Sequence, residues 1–254
     1  MATTFPYLAS PPLAFAHRGG AGNWPENTMP AFDTAVDLGY RHLETDVHLT
    51  SDGVLVAFHD DSLDRVTDRQ GVIGELPWSE VRQARVDGRE PIPLLEELLD
   101  AWPDVCINID PKHDRTVEPL AAIINRTGTV DRVGIGSFSD KRIHRMHELV
   151  GPELCTAMGP VGVARLRAAS YGLPAGRFSA PCVQVPPTSR GVVVVDERFV
   201  RAAHDHDIQV HVWTIDDPIE MTRLLDLGVD GIMTDRPEVL KELLTARGQW
   251  QSRR

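Results

Sequence analysis

The residues best suited to chemistry lie in the stretch 43–60, which reads LETDVHLTSDGVLVAFHD. The Asp-Gly pair at 52–53 is a strong signal for a tight turn, so the stretch predicts a β-hairpin. Side chains alternate along a strand, which places Glu44 and Asp46 on one face. With a two-residue turn Asp46 lies directly opposite His59, whereas a longer turn would shift this register by one residue.

These residue types indicate a definite kind of chemistry. Two neighbouring carboxylates suit a hard divalent cation, which prefers oxygen ligands. An imidazole beside them suits proton transfer near neutral pH. The hairpin therefore predicts metal-assisted acid–base chemistry, and the alternative is an exposed hairpin that carries scattered charges.

The surrounding sequence predicts the elements that position this hairpin. Short apolar runs alternate with amphipathic helical patterns, and eight strands, nearly all followed by a helix, fit into the 254 residues. This is the count expected of an α/β protein with a (β/α)8 TIM barrel. A doubly wound sheet is the alternative, but HRGGAGN at 17–23 lacks the GxGxxG spacing that it predicts. The stretch 61–93 loses the alternation and is predicted to be a small insertion after the second strand, within one barrel domain over 1–254.

Polar residues gather where the predicted strands end. In a barrel the carboxyl ends of the strands form the active-site face. The residues at these ends are His17, Arg18, Glu44, Asp46, Asn108, Asp110, Lys112, Ser137, Gln184, His211, Trp213, Thr234 and Asp235, with His59 returning on the hairpin. Because burying so many charges without partners is costly, a purely structural barrel would not need them.

Composition restricts the partners and the compartment. The net charge of -11 argues against a nucleic acid or an anionic membrane surface as a partner, and favours a small molecule. No run approaches the roughly 18 apolar residues of a membrane span, and the N-terminus lacks the pattern of a signal peptide. The three cysteines lie in apolar runs, which is typical of free thiols in a reducing compartment. We therefore predict a cytoplasmic protein, whose oligomeric state the sequence leaves open.

Five segments together resemble the glycerophosphodiester phosphodiesterase family. They are HRG at 17–19, PENT at 25–28, ETDVHLTSDGVLVAFHDDSLDRVT at 44–67, NIDPK at 108–112 and VWT at 212–214. The resemblance covers nearly the whole chain and implies a (β/α)8 barrel with an insertion after the second strand. It also implies metal-dependent hydrolysis of glycerophosphodiesters to sn-glycerol 3-phosphate and an alcohol, with one divalent cation, Mg²⁺ or Ca²⁺.

The resemblance implies a role for most of the polar residues. His17 and His59 correspond to the catalytic acid/base pair, Glu44, Asp46 and Asp110 to the metal ligands, and Arg18 and Lys112 to the cations that contact the phosphate. It further suggests that a glycerol hydroxyl of the substrate attacks first and gives a cyclic phosphate that water then opens. Trp213 is predicted to bind substrate by packing its ring on the glycerol carbons. The chain departs from the family at Asp110, where the usual pattern Glu-Ile-Lys would place a glutamate.

Two other functions stay open on the sequence. A phospholipase D-type enzyme that acts on lysophospholipids or sphingomyelin needs an apolar entry surface for an acyl chain, and no apolar run marks one. A non-catalytic barrel that binds glycerophosphate would not need both histidines and the carboxylates. Among the remaining histidines we expect a peripheral role for His48, and His113 is ambiguous.

Overall fold

The chain folds into a barrel of eight parallel strands surrounded by helices, in a computed structural model that describes residues 5–20, 22 and 24–251. The described strands are, in chain order, β1 (Leu13–His17), β2 (His42–Leu49), β3 (Leu55–Ala57), β4 (Arg85–Val86), β5 (Glu90–Pro91), β6 (Cys106–Pro111), β7 (Val133–Ile135), β8 (Cys155–Thr156), β9 (Cys182–Val185), β10 (Thr188–Ser189), β11 (Val192–Val193), β12 (Gln209–Val212) and β13 (Gly231–Thr234). The described α-helices are α1 (Met29–Asp37), α2 (Trp78–Val81), α3 (Leu95–Ala101), α4 (Asp114–Thr127), α5 (Asp140–Val150), α6 (Pro160–Ala169), α7 (Glu197–His204), α8 (Pro218–Asp226) and α9 (Pro237–Ala246).

The order of the strands confirms the predicted fold class. Around the barrel they follow the order β8, β7, β6, β2, β1, β13, β12 and β9, each parallel to its neighbours. A parallel bridge between Ala157 and Cys182 joins the two ends of this path. The structure is therefore a nearly closed (β/α)8 TIM barrel, built from the eight strands that the sequence predicts.

The helices cover the barrel with apolar faces. α1 buries Ala31, Phe32, Ala35 and Val36, which share one side at helical spacing. The helix ends just before Gly39, whose φ of 95° is the left-handed conformation common after a helix. None of the described helices has the length and apolar character that crossing a membrane requires.

β3 pairs with β2 one residue away from the predicted register. The N–H of Phe58 donates to the carbonyl of Asp46 at 2.9 Å, so Asp46 lies opposite Phe58 and its predicted pairing with His59 is wrong. His59 follows the end of β3 and belongs to the loop that leads away from it. Its position therefore comes from this loop and not from the alternation of a strand.

A three-residue loop causes the shift. The N–H of Thr50 donates to the carbonyl of Val54 at 2.9 Å, and the N–H of Val54 donates to the Oγ1 of Thr50 at 2.9 Å. The Thr50 hydroxyl in turn donates to Oδ1 of Asp52 at 2.6 Å, and Gly53 has a φ of 88°. Three-residue hairpin loops use this left-handed residue, so the Asp-Gly pair serves the longer turn here.

The segment 61–93 has a small core of its own. It contains α2, the antiparallel pair β4–β5 and a 3-10 helix at Ile73–Glu75. Val56 and Phe58 from the hairpin pack into the same apolar cluster as Ile73 and Val86. This packing anchors the segment beside the loop that carries His59. The prediction of one domain over 1–254 stays a prediction.

Candidate active site

A cavity of about 510 Å³ opens where the barrel strands end. All eight predicted site residues line it: His17, Arg18, Glu44, Asp46, His59, Asp110, Lys112 and Trp213. The fold therefore brings together residues from strands that are far apart in the sequence. The role of each residue stays a prediction.

Three carboxylates line the cavity, of which Glu44 and Asp46 are buried and Asp110 is partly buried. Glu44 and Asp46 lie on β2, and Asp110 on β6 pairs with Asp46 in register. Burial, followed by the negative charge of Asp46, raises the pKa of Glu44 to about 7, and burial raises the pKa of Asp110. Within the described chain, Oδ1 of Asp110 is buried without a hydrogen-bond partner. This all-oxygen set of donors fits a hard divalent cation such as Mg²⁺ or Ca²⁺.

Two basic side chains contact these carboxylates. Nζ of Lys112 lies 2.5 Å from Oδ1 of Asp46 and 3.1 Å from Oδ2 of Asp110. Burial lowers the pKa of Lys112, but the charges of the two aspartates outweigh it and the pKa is raised, so the amine stays charged. Nε of Arg18 lies 3.3 Å from Oδ2 of Asp46, and its main-chain N–H donates to Oε2 of Glu44 at 3.1 Å. Two positively charged groups thus lie among the carboxylates, where they can contact the oxygens of an anionic substrate.

His17 is held by the carboxylate that follows the last barrel strand. Its Nδ1 lies 2.7 Å from Oδ1 of Asp235, and its Nε2 lies 3.8 Å from Oε2 of Glu44. Burial lowers the pKa of His17, but the charge of Glu44 and the hydrogen bond with Asp235 raise it more, and the net shift is upward. Asp235 therefore orients the ring and stabilises its charged form.

His59 has an equivalent partner in the next residue. Its Nδ1 lies 2.6 Å from Oδ1 of Asp60, whose Oδ2 accepts from Nε of Arg65 at 2.5 Å. The hydrogen bond from Arg65 holds the pKa of Asp60 below its usual range. Arg65 also donates to Glu26 at 2.7 Å, and Glu26 accepts from Arg18 at 3.1 Å. A chain of ion pairs thus connects the segment after β3 to the loop after β1.

Sequence reasoning placed Asp235 at the strand ends but assigned a carboxylate partner to neither histidine. Asp60 is adjacent to His59 in the sequence, and Asp235 follows the last strand, so position alone could have found them. It also placed His211 at the mouth, which is wrong. His211 is fully buried, and its ring centroid lies 5.1 Å from that of Phe15. It precedes the cavity residue Trp213 by two positions, so it faces the same side of the strand but lies one layer deeper in the barrel.

One side of the cavity is apolar. The rings of Phe138 and Trp213 meet edge to face with their centroids 5.6 Å apart, and Phe138 keeps 67% of its surface exposed. Val192 from the hairpin β10–β11 is 63% exposed. The other apolar lining residues include Met158, Pro160, Val163, Ala164, Val185, Pro186, Val194 and Met233. We call Phe138, Val163, Val192 and Trp213 the apolar wall.

Comparison with known proteins agrees with this geometry. A model of the glycerophosphoryl diester phosphodiesterase family matches residues 17–239. The chain belongs to this family. A relative named "Probable glycerophosphodiester phosphodiesterase 2" from Mycobacterium tuberculosis is 41% identical over 244 residues, which cover 94% of this chain and 92% of the relative.

Solved structures of glycerophosphodiester phosphodiesterases share the fold. One from Silicibacter pomeroyi has a TM-score of 0.82 at 24% identity and covers 96% of this chain and 99% of its own. A phosphodiesterase from Oleispira antarctica, solved in complex with the product sn-glycerol-3-phosphate, has a TM-score of 0.77 at 24% identity and covers 92% of this chain and 97% of its own. The predicted family and barrel are therefore confirmed, and the protein is an enzyme, a phosphoric diester hydrolase.

Proposed function

We propose that this enzyme hydrolyses glycerophosphodiesters to sn-glycerol 3-phosphate and an alcohol, and that it needs a divalent cation. The observation that carries the proposal is one cavity lined by two histidines, each hydrogen-bonded to its own carboxylate, and by three further carboxylates and two cations. The product bound to the Oleispira antarctica phosphodiesterase supports the substrate class.

The side chains divide the reaction among them. One of His17 and His59 takes the proton from the attacking hydroxyl, and the other protonates the leaving alkoxide. Arg18, as a planar fork, and Lys112, as a point charge, bind the phosphate oxygens. Glu44, Asp46 and Asp110 would hold a cation that adds positive charge for the phosphate oxygens.

The attacking group in this proposal is a hydroxyl of the substrate's own glycerol. It bonds to phosphorus as the alcohol leaves, which gives a cyclic phosphate. Water then opens the ring, with the two histidines exchanging roles, and sn-glycerol 3-phosphate is released. Trp213 lies where its ring can pack on the glycerol carbons during both steps.

Release of sn-glycerol 3-phosphate from glycerophosphocholine tests the function directly. A set of glycerophosphodiesters with different head groups, assayed with Mg²⁺ and with Ca²⁺, would give the preferred alcohol. Tight binding of glycerophosphate without turnover of any member would contradict the proposal and favour the non-catalytic barrel.

Replacing Asp110 with Ala is expected to raise the concentration of Mg²⁺ or Ca²⁺ needed for half-maximal activity at least about tenfold, or about 1.4 kcal/mol of binding. The reason is that Asp110 lies beside Asp46 in register and has a buried oxygen without a partner among the described residues. Asp110→Glu should stay active, since it restores the residue usual in the family. Metal titrations of the hydrolysis rate measure both effects.

The matched control is Asp205→Ala, which removes an exposed carboxylate after α7, at the opposite end of the barrel. It should titrate like the parent enzyme. If Asp110→Ala also titrates like the parent, then Asp110 is not a ligand and the third position belongs to another group.

A second candidate function is favoured by the apolar wall. Lysophospholipids are glycerophosphodiesters that carry one acyl chain, and a phospholipase D-type cleavage needs an apolar surface beside the phosphate site. No single run in the sequence marks this surface, because its residues come from four separate parts of the chain. An apolar wall next to the catalytic groups fits such a chain.

Phe138→Ser and Val192→Ser are each expected to raise KM for lysophosphatidylcholine about tenfold, since each removes roughly 1–2 kcal/mol of apolar contact. KM for glycerophosphocholine, which has no acyl chain, should stay unchanged. The control is Ile219→Ser, at an apolar residue that is 78% exposed and does not line the cavity. Equal effects on both substrates would contradict a role in acyl-chain binding.

We also keep the cytoplasmic location as a proposal. Cys106, Cys155 and Cys182 are all free thiols in the structure, which supports a reducing compartment. The proposed partner is the small-molecule substrate, and the oligomeric state stays open.

A further inference from the structure

A second group of metal-ligand residues lies beside the active-site cavity and does not line it. His48, Asp61 and His113 each offer one ligand atom, and these atoms all lie within 4.8 Å of one another. His48 is on β2, Asp61 begins the segment after β3, and His113 immediately precedes α4. We call these three residues the lateral group.

The buried member of the lateral group is oriented by a backbone carbonyl. Nε2 of His48 lies 3.0 Å from the carbonyl oxygen of His59, and His48 is 2% exposed. A carbonyl only accepts, so Nε2 carries the hydrogen and, in a neutral ring, Nδ1 presents a lone pair. That Nδ1 lies 3.9 Å from Oδ1 of Asp61. Metal-binding histidines typically have this arrangement, with the second nitrogen bonded to a carbonyl or carboxylate.

The spacing of the donor atoms is close to that of a bound metal. Ligands at 2.0–2.1 Å from a tetrahedral zinc ion lie roughly 3.3 Å from one another. Oδ1 of Asp61 lies 3.9 Å from Nδ1 of His48 and 2.9 Å from Nε2 of His113. These values bracket the tetrahedral spacing, and the side chains of Asp61 and His113 are both exposed. Small rotations of Asp61 and His113 would therefore complete the site.

We propose that the lateral group binds a transition-metal ion of the zinc class, at a site separate from the carboxylates Glu44, Asp46 and Asp110. Two imidazoles and one carboxylate suit Zn²⁺, whereas an all-carboxylate set suits Mg²⁺ or Ca²⁺. Three protein ligands leave a fourth position open, and exposure of the site makes it accessible from solvent.

Metal at this position would act on the catalytic loop. The ligands come from three parts of the chain, so one ion ties β2 and the start of α4 to the segment after β3. His48 is bonded to the carbonyl of His59, which is one of the two histidines of the active site. Binding therefore restrains the loop 58–61 without adding a group to the cavity.

Zinc titration of the enzyme, stripped of metal and free of any purification tag, tests the proposal. With millimolar Mg²⁺ present for the carboxylates, calorimetry should show a Zn²⁺ site that is weakened at least about 100-fold in Asp61→Asn and in His113→Ala. Both residues are exposed, so the variants should fold. Co²⁺ should give the absorption of a tetrahedral site in the parent and not in the variants.

The matched control is His204→Ala, because His204 forms a similar exposed pair, 2.8 Å from Asp230, away from the lateral group. It should bind Zn²⁺ like the parent. Hydrogen exchange of the loop 58–61 should slow on addition of Zn²⁺ in the parent and in His204→Ala alone. The proposal is overturned if Asp61→Asn and His113→Ala bind Zn²⁺ as the parent does, or if the parent does not bind it.

Discussion

Alanine in place of His59 is expected to lower kcat for glycerophosphodiester hydrolysis by about 10²–10⁴-fold, the usual contribution of a general acid or base. His17→Ala should have an effect of the same size. Both rings lie on the cavity wall, and each is fixed by a carboxylate at 2.6–2.7 Å, from Asp60 and Asp235 respectively. A ring held in this way is ready to transfer a proton at its other nitrogen.

The experiment needs a check of folding and a control variant. Circular dichroism and the thermal midpoint should match those of the parent, since both rings lie at the cavity and outside the apolar clusters. His204→Ala removes an exposed imidazole far from the cavity and should keep the parent kcat. A variant of His17 or His59 with near-normal kcat would remove that residue from the mechanism.

The barrel was predictable from the sequence because its local patterns agree with its global order. Each apolar run forms one strand, and strands of a parallel barrel end at the same face. That rule alone places Glu44, Asp110 and Trp213 at one cavity, although they lie on strands that are far apart in the chain. Convergence of this kind depends on topology and does not require the exact position of any side chain.

Two predictions were wrong, the hairpin register and the position of His211. The first depends on single hydrogen bonds in the turn, and the second on how deep the side chain lies in the barrel. The hydroxyl of Thr50 closes the turn after β2 and makes it one residue longer than the Asp-Gly pair suggests. His211 faces inward as predicted, but it lies one layer below the cavity. The alternation of apolar and polar residues shows neither the hydrogen bonds of a turn hydroxyl nor how deep in the barrel an inward-facing side chain lies.

The apolar wall was missed for a different reason. Phe138 follows β7, Val163 lies on α6 and Val192 lies on β11, so these residues are far apart in the sequence. Only the closure of the barrel brings them beside Trp213. A surface assembled from single residues leaves no local signal, which is why the sequence could not favour an acyl-chain substrate.

Removal of divalent cations with EDTA is expected to abolish hydrolysis, and addition of Mg²⁺, Ca²⁺ or Mn²⁺ should restore it. The three carboxylates Glu44, Asp46 and Asp110 that line the cavity outnumber the two cations Arg18 and Lys112. An ionised set of this composition would repel an anionic phosphodiester, whereas a divalent cation reverses the sign of the charge. Burial is the larger cause that raises the pKa of Glu44 to about 7, and the negative charge of Asp46, which a cation would offset, is the second.

The two proposed metal sites can be separated in the same assay. His113→Ala removes a ligand of the lateral group and leaves the carboxylates intact, so its hydrolysis should also stop in EDTA and return with Mg²⁺ or Ca²⁺. Glu44→Gln removes a carboxylate of the cavity, and its hydrolysis rate should stay low at any concentration of these hard cations. Full activity of the parent enzyme in chelator would contradict metal dependence. In that case Lys112, which already bridges Asp46 and Asp110, would supply the positive charge that the cavity needs.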